Sequence, residues 1–246
     1  MNPILVGFTA LLGYLLGSIS FARLVTRLAA TGASIDDLRV QISGTEESVP
    51  VGIAGGNAAA MLLGPWLGLT VALLDMLKVV LPLLAVKALY PGQIYHYIVG
   101  AAGLVGHNWP VYYRFKGGRG FAVIFGTFLL LDWVGALLSL LVGLAFGMII
   151  LGSPMVAYIS WLWWMVLWFV WRGTNQEVYY ALAANLTFIL AVIPEIRLML
   201  RMRREGKYQA YMEGLYASSP RWRGMKKMTE RVWLLRPFLR YGRPNT

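Results

Sequence analysis

The stretch Trp66-Leu-Gly-Leu-Thr-Val-Ala-Leu-Leu-Asp75-Met-Leu-Lys78-Val-Val-Leu-Pro82-Leu-Leu-Ala-Val-Lys87-Ala-Leu89 decides the fold class. It exceeds the ~20 apolar residues that a helix needs to cross a bilayer, and its few charges are spaced for pairing within the helix. Asp75 and Lys78, three residues apart, share one helical face. Charges at that depth are costly unless paired, so they read as an intramembrane ion pair, with a role in shaping a pocket as the second reading.

Working outward, comparable apolar stretches occupy 3–25, 94–113, 119–131, 134–151, 155–171 and 178–194. The chain of 246 residues is 58% hydrophobic and 13% charged, with a mean hydropathy of +0.61. A water-soluble domain carries about 25% charged residues, so the surplus of apolar side chains calls for lipid as solvent. The expected fold is all-α: a polytopic membrane helix bundle of about seven spans, five to seven in range. The stretches 119–131 and 134–151 flank Asp132 and Trp133, and read either as a short span plus a full one or as a re-entrant hairpin. The opening Met-Asn-Pro-Ile-Leu lacks a basic leader region, so the first stretch reads as a retained span.

Basic residues set the orientation. Arg23, Arg27 and Arg39 follow the first stretch, Arg114, Lys116 and Arg119 follow the third, and residues 195–246 hold 13 Lys+Arg against four Glu. The connections near 90–96 and 132–133 have neither Lys nor Arg. The N-terminus is therefore expected outside and the C-terminus in the cytoplasm. Two parts are expected, a transmembrane domain at 1–195 and a basic amphipathic cytoplasmic tail at 196–246. In that tail Leu198–Arg204 and Arg221–Arg240 mix Arg and Lys with apolar and aromatic residues. This pattern suits an anionic lipid surface, and its plainer reading is an ordinary cytoplasmic flank. The spans argue against a nucleic-acid partner. The chain has no cysteine and only two histidines, His96 and His107, so no metal site is expected. The tryptophans at 161, 163, 164, 168 and 171 read as packing and interfacial belt.

The stretch with the most chemistry is Gly106-His107-Asn108-Trp109-Pro110-Val111-Tyr112-Tyr113-Arg114-Phe115-Lys116-Gly117-Gly118-Arg119-Gly120-Phe121-Ala122. One helix is expected to end near Pro110 and another to begin after the glycines. Gly117, Gly118 and Gly120 let backbone N–H groups face one concavity, the new helix adds its positive end, and Lys116 and Arg119 add two charges. That combination suits a phosphate at a membrane surface; its plain alternative is a flexible basic turn.

The string closely resembles the second signature of the bacterial acyl-phosphate:glycerol-3-phosphate acyltransferases, the PlsY family, with Arg119 where Lys is usual. Gly17-Ser18-Ile19-Ser20-Phe21, Asp37-Leu38-Arg39, Leu63-Gly64, Gly68 and Leu73-Leu74-Asp75-Met76-Leu77-Lys78 resemble further family patterns in order. The likeness covers about residues 5–150. It departs from the pattern at Asn57, Ala58 and Met61, where the family carries Thr, Asn and Arg. Residues near Glu46–Ala54 form an insertion, and Pro194-Glu195-Ile196-Arg197-Leu198 stands where a third signature belongs.

The resemblance implies transfer of a fatty acyl group from acyl phosphate to glycerol 3-phosphate in a multi-pass cell (inner) membrane protein of phospholipid biosynthesis, without a cofactor. Acyl phosphate is already activated, so no enzyme nucleophile is required, in keeping with the lack of a Ser-His-Asp or Gly-x-Ser-x-Gly pattern. The implied site comprises Ser43 and His107 as catalytic groups. Arg39, Asn108, Lys116, Gly117, Gly118, Arg119 and Gly120 would bind phosphate. For His107 the alternative is a packed histidine, for Asn108 a helix cap, and for Ser43 and Arg39 a solvated loop. The departures also suit a relative that binds lipid phosphates without turnover. A small transporter or scaffold is a further alternative, though no inverted repeat marks it.

Overall fold

The computed structural model describes residues 2–29 and 32–234. Among them eleven α-helices and one two-stranded hairpin form in chain order. Helix α1 runs Pro3–Gly17 and α2 Phe21–Leu28; strands β1 (Arg39–Gln41) and β2 (Ser48–Pro50) pair antiparallel. There follow α3 (Gly56–Leu63), α4 (Pro65–Leu89), α5 (Tyr95–Asn108), α6 (Phe121–Leu131) and α7 (Trp133–Ala145). Helices α8 (Pro154–Arg172), α9 (Asn175–Arg204), α10 (Tyr208–Ser218) and α11 (Pro220–Val232) complete the order.

Local chemistry fixes most helix starts. Asn2, Ser20, Asp132, Ser153 and Ser219 each cap a helix by accepting a first-turn N–H. Thr174 and Glu177 bond reciprocally at the head of α9. Proline opens α1, α4, α8 and α11, where its missing N–H costs nothing.

Among the described residues five helical stretches are long and apolar enough to cross a membrane: Pro3–Leu28, Pro65–Leu89, Trp133–Ile150, Pro154–Arg172 and Asn175–Arg204. The apolar runs at 94–113 and 119–131 become the shorter helices α5 and α6. Asp132 separates α6 from α7 while accepting from Gly135 N and from Trp168 Nε1. The insertion supplies β2, so the helical architecture gains a hairpin that composition did not announce.

Two seams place the functional residues. Helix α5 lies against α1 so closely that a Cβ at Gly13, Gly17 or Gly106 would fall 2.1–2.4 Å from backbone oxygens of Val99, Gly103 and Tyr14. Small residues let two backbones approach in this way where lipid gives no hydrophobic drive. Asp75 and Lys78 pair at 2.8 Å in the interior, as their spacing predicts, and Lys78 Nζ also donates to Ile19 O. Trp161 is fully buried, ringed by Phe121, Phe125 and Phe128, while Trp163 and Trp171 face outward.

The basic C-terminal segment does not stand apart. Helix α9 runs unbroken across the division expected at 195/196. Met202, Tyr211, Met212, Leu215 and Trp222 share a core with Val40, Ile42 and Val49 of the hairpin. Of the amphipathic run expected at Arg221–Arg240, positions beyond 234 lie outside the described residues.

Candidate active site

The sequence from His107 to Gly120 folds as one knot. Helix α5 ends at Asn108, the chain turns through Arg114 and Phe115, both at positive φ, and α6 begins after Gly120. Gly118 N donates to His107 O at 3.1 Å, and Gly117 O accepts from Ala54 N at 3.1 Å. A Cβ at Gly117 would meet His107 O at 2.2 Å, at Gly118 His107 Nε2 at 2.1 Å, and at Gly120 Leu104 Cδ1 at 2.2 Å. The glycines are thus required by close packing of the loop on the end of α5. Since Gly118's amide is spent on His107, the amides of the first turn of α6, which no side chain caps, form the positive end of the knot.

Behind this loop lies a cavity of about 740 Å³, within the ~300–1,000 Å³ typical of small-molecule sites. Its walls are mainly apolar and come from α3, α4, α6, α8, α9, α10, α11 and the hairpin. The charged side chains lining it are Asp75, Arg119, Glu195 and Arg221. His107 also lines it, with Nδ1 3.7 Å from Asp75 Oδ1. Burial pushes the Tyr211 phenol up to about 12, so this lining residue stays neutral.

The structure brings His107, Arg119 and Gly120 together at the cavity. Arg119 is paired: its Nε and Nη2 donate to Glu195 Oε1, the former at 2.8 Å. Asn108 is buried beside Gly120, and neither end of its carboxamide has a partner among the described residues. Lys116 is exposed and outside the cavity wall, its field falling instead on Asp36.

Ser43 and Arg39 are not gathered there. Ser43 is exposed at the hairpin tip, with its N–H donating to Ala210 O. Arg39 donates to Ser48 Oγ and O at 2.7 and 2.6 Å, stapling the hairpin. The reason is the insertion: it pairs with residues 39–41 and carries the turn onto α10.

Two lining residues escaped the sequence reading. Glu195 lies 76 positions from its partner Arg119, and no local pattern announces such a pair. Arg221 sits in Ser219-Pro220-Arg221-Trp222, a helix-start signal that was readable as such without revealing what the helix covers.

A family model described as glycerol-3-phosphate acyltransferase matches residues 7–204. This chain belongs to the glycerol-3-phosphate acyltransferase family. It is 37% identical over 160 residues to the glycerol-3-phosphate acyltransferase of Klebsiella pneumoniae, covering 63% of this chain and 72% of that one. To the protein of that name from Shouchella clausii it is 34% identical over 131 residues, covering 52% and 58%. Among the first such relatives the chain spans 53% to 72% of their length.

Its fold is similar to the crystal structure of PlsY (YgiH), an integral membrane glycerol 3-phosphate acyltransferase, in its glycerol 3-phosphate form. That match has a TM-score of 0.64 and 26% identity over 80% of this chain and 93% of that one. The lysophosphatidic acid form matches with a TM-score of 0.62 and 25% identity. This acyltransferase-family chain is a multi-pass integral membrane protein. The family match ends at 204, so α10 and α11 lie beyond it.

Proposed function

We propose that this protein transfers a fatty acyl group from acyl phosphate to glycerol 3-phosphate at the cytoplasmic face of a cell membrane, giving lysophosphatidate. The carrying observation is a largely apolar cavity of about 740 Å³ whose polar side holds Arg119, His107 and the start of α6. An acyl phosphate has the same two-part character, a chain that must avoid water and a dianionic head that needs cations and N–H donors.

In the reaction the glycerol hydroxyl oxygen attacks the acyl carbonyl carbon, the bond from that carbon to the phosphate oxygen breaks, and phosphate leaves with the bonding pair. The hydroxyl proton passes by way of His107 to the departing phosphate, which leaves as hydrogen phosphate. Orientation and charge stabilisation supply the rate, since the donor is already activated. Arg119 and the amides from Gly120 onward hold phosphate, with Asn108 donating at the same end. Gly117 and Gly118 hold the loop on His107. Lys116, exposed, draws anionic substrate toward the loop, while Ser43 and Arg39, fixed on the hairpin and absent from the cavity wall, take no part in this reading. The basic C-terminal segment faces anionic lipids.

The test is lysophosphatidate formation by purified protein from palmitoyl phosphate and glycerol 3-phosphate. R119A is expected to lower kcat/KM roughly 100- to 1,000-fold, as loss of a key stabilising donor does elsewhere. K116A, removing a charge outside the cavity, is expected to lower it by less than about tenfold. Absence of product from wild-type protein overturns the reading.

One observation favours a second reading, a relative that binds lipid phosphates without turnover. Glu195 already occupies the Arg119 guanidinium, and phosphate must displace it. Phosphate-dependent binding of palmitoyl phosphate without product would establish that reading.

A further inference from the structure

Among the described residues four charged side chains line the cavity, and three are neutralised: Asp75 by Lys78, and Arg119 and Glu195 by each other. The fourth is Arg221, which pairs with no carboxylate among the described residues. It is held in place nonetheless. Its guanidinium lies 4.4 Å from the Tyr158 ring centroid and 5.1 Å from that of Trp222, and Nη1 donates to Tyr158 Oη at 3.2 Å. Its Nε is buried with no partner among the described residues. A cation fixed at an apolar wall without a counter-charge is costly and favours an anion beside it.

The helix that carries it is anchored too. Ser219, fully buried, caps α11 by accepting from Trp222 N at 3.3 Å and donates to Asn57 Oδ1 at 2.8 Å. Asn57 belongs to α3, which packs against α11 and lines the same cavity. The arrangement therefore presents a preorganised guanidinium from a helix beyond the family match.

We propose that Arg221 is a substrate-binding residue that grips the phosphoryl head of the acyl donor, making α11 a working wall of the site. This rests on the reading of the cavity as the place where acyl phosphate binds. Arg221 supplies planar donors suited to phosphate oxygens. Tyr158 and Trp222 set the plane of the guanidinium, and the bond from Ser219 to Asn57 sets its distance from α3.

The test is isothermal titration of detergent-solubilised full-length protein with hexadecylphosphonate, alongside hexadecanol as the uncharged control. R221A is expected to weaken phosphonate binding roughly 10- to 100-fold and to leave hexadecanol within about twofold. R221K recovers part of the loss, because a point charge replaces a fork. Y158F, which keeps the ring stack and removes the hydroxyl, weakens phosphonate by a smaller factor and serves if R221A does not fold. Unchanged phosphonate binding in these variants overturns the assignment, as does equal loss of phosphonate and alcohol or no phosphonate binding by wild type. Acyl transfer with unaltered phosphonate binding in R221A sinks this proposal and leaves the acyltransferase reading standing. Phosphonate binding through Arg221 without lysophosphatidate does the reverse.

Discussion

A methyl group at position 118 has nowhere to go, because it would lie 2.1 Å from His107 Nε2 in a buried setting. G118A is expected to push the imidazole out of its place and to cost about 1–3 kcal/mol of stability, as overpacking does. Thermal unfolding in detergent and the acyl-transfer assay check the two effects separately. The Asp75–Lys78 pair makes a second residue-level prediction. D75A or K78A alone strands a buried charge and should cost about 3–5 kcal/mol, whereas D75L combined with K78M should cost far less. The buried Arg23 guanidinium, hydrogen-bonded to the exposed Asp36, holds its carboxyl below the ordinary value. That contribution is complete above the ordinary carboxylate range and fades as pH falls through the lowered value. The stability gap between wild type and D36N should therefore be flat from neutral pH to about pH 5 and close below about pH 4.

Between elements, one side-chain hydrogen bond among the described residues ties α11 to α3, from Ser219 to Asn57 Oδ1, beside apolar contact of Met61 with the Trp222 cluster. N57A should cost about 1 kcal/mol. S219A should cost more, because it also removes the helix cap. A double-mutant cycle on unfolding free energies would give their coupling, and a coupling of zero would mean the two helices are held by apolar contact alone. The same scale shows what was readable beforehand. The end of α5 near Pro110 and the start of α6 after Gly120 follow from Pro and Gly placement. The pairing of Arg119 with Glu195 does not, because ion pairs across 76 residues leave no periodic trace. The role of α10 and α11 was hidden for a different reason: Arg and Lys interleaved with Trp and Met look the same whether they cover lipid or a protein cavity. The hairpin was unread because the insertion's Ser48-Val49-Pro50 is too short to show alternation.

For the whole molecule, the hydropathy of the long apolar runs was sufficient to specify a membrane bundle, since lipid leaves few alternatives for a chain this apolar. Charge asymmetry gives the further expectation that the N-terminus lies outside and the C-terminus inside. The chain has no native cysteine, so single substitutions report unambiguously. A cysteine at Gly92, between α4 and α5, should react with an impermeant maleimide from the outer side of intact cells. One replacing Lys116 should react only after the membrane is opened. Labelling in the opposite sense would invert the bundle and remove the phosphate loop from the cytoplasm.

The glycine seam between α1 and α5 bears on biogenesis. During synthesis α1 enters the bilayer before α5, and its notched face must wait until that companion emerges some eighty positions later. Two-step assembly of this kind tolerates the delay because a lone helix is already stable in lipid. A bulky residue at Gly17 would let both helices insert normally and then fail to dock. The nascent protein would reach the membrane in full yield, with His107 never brought into place.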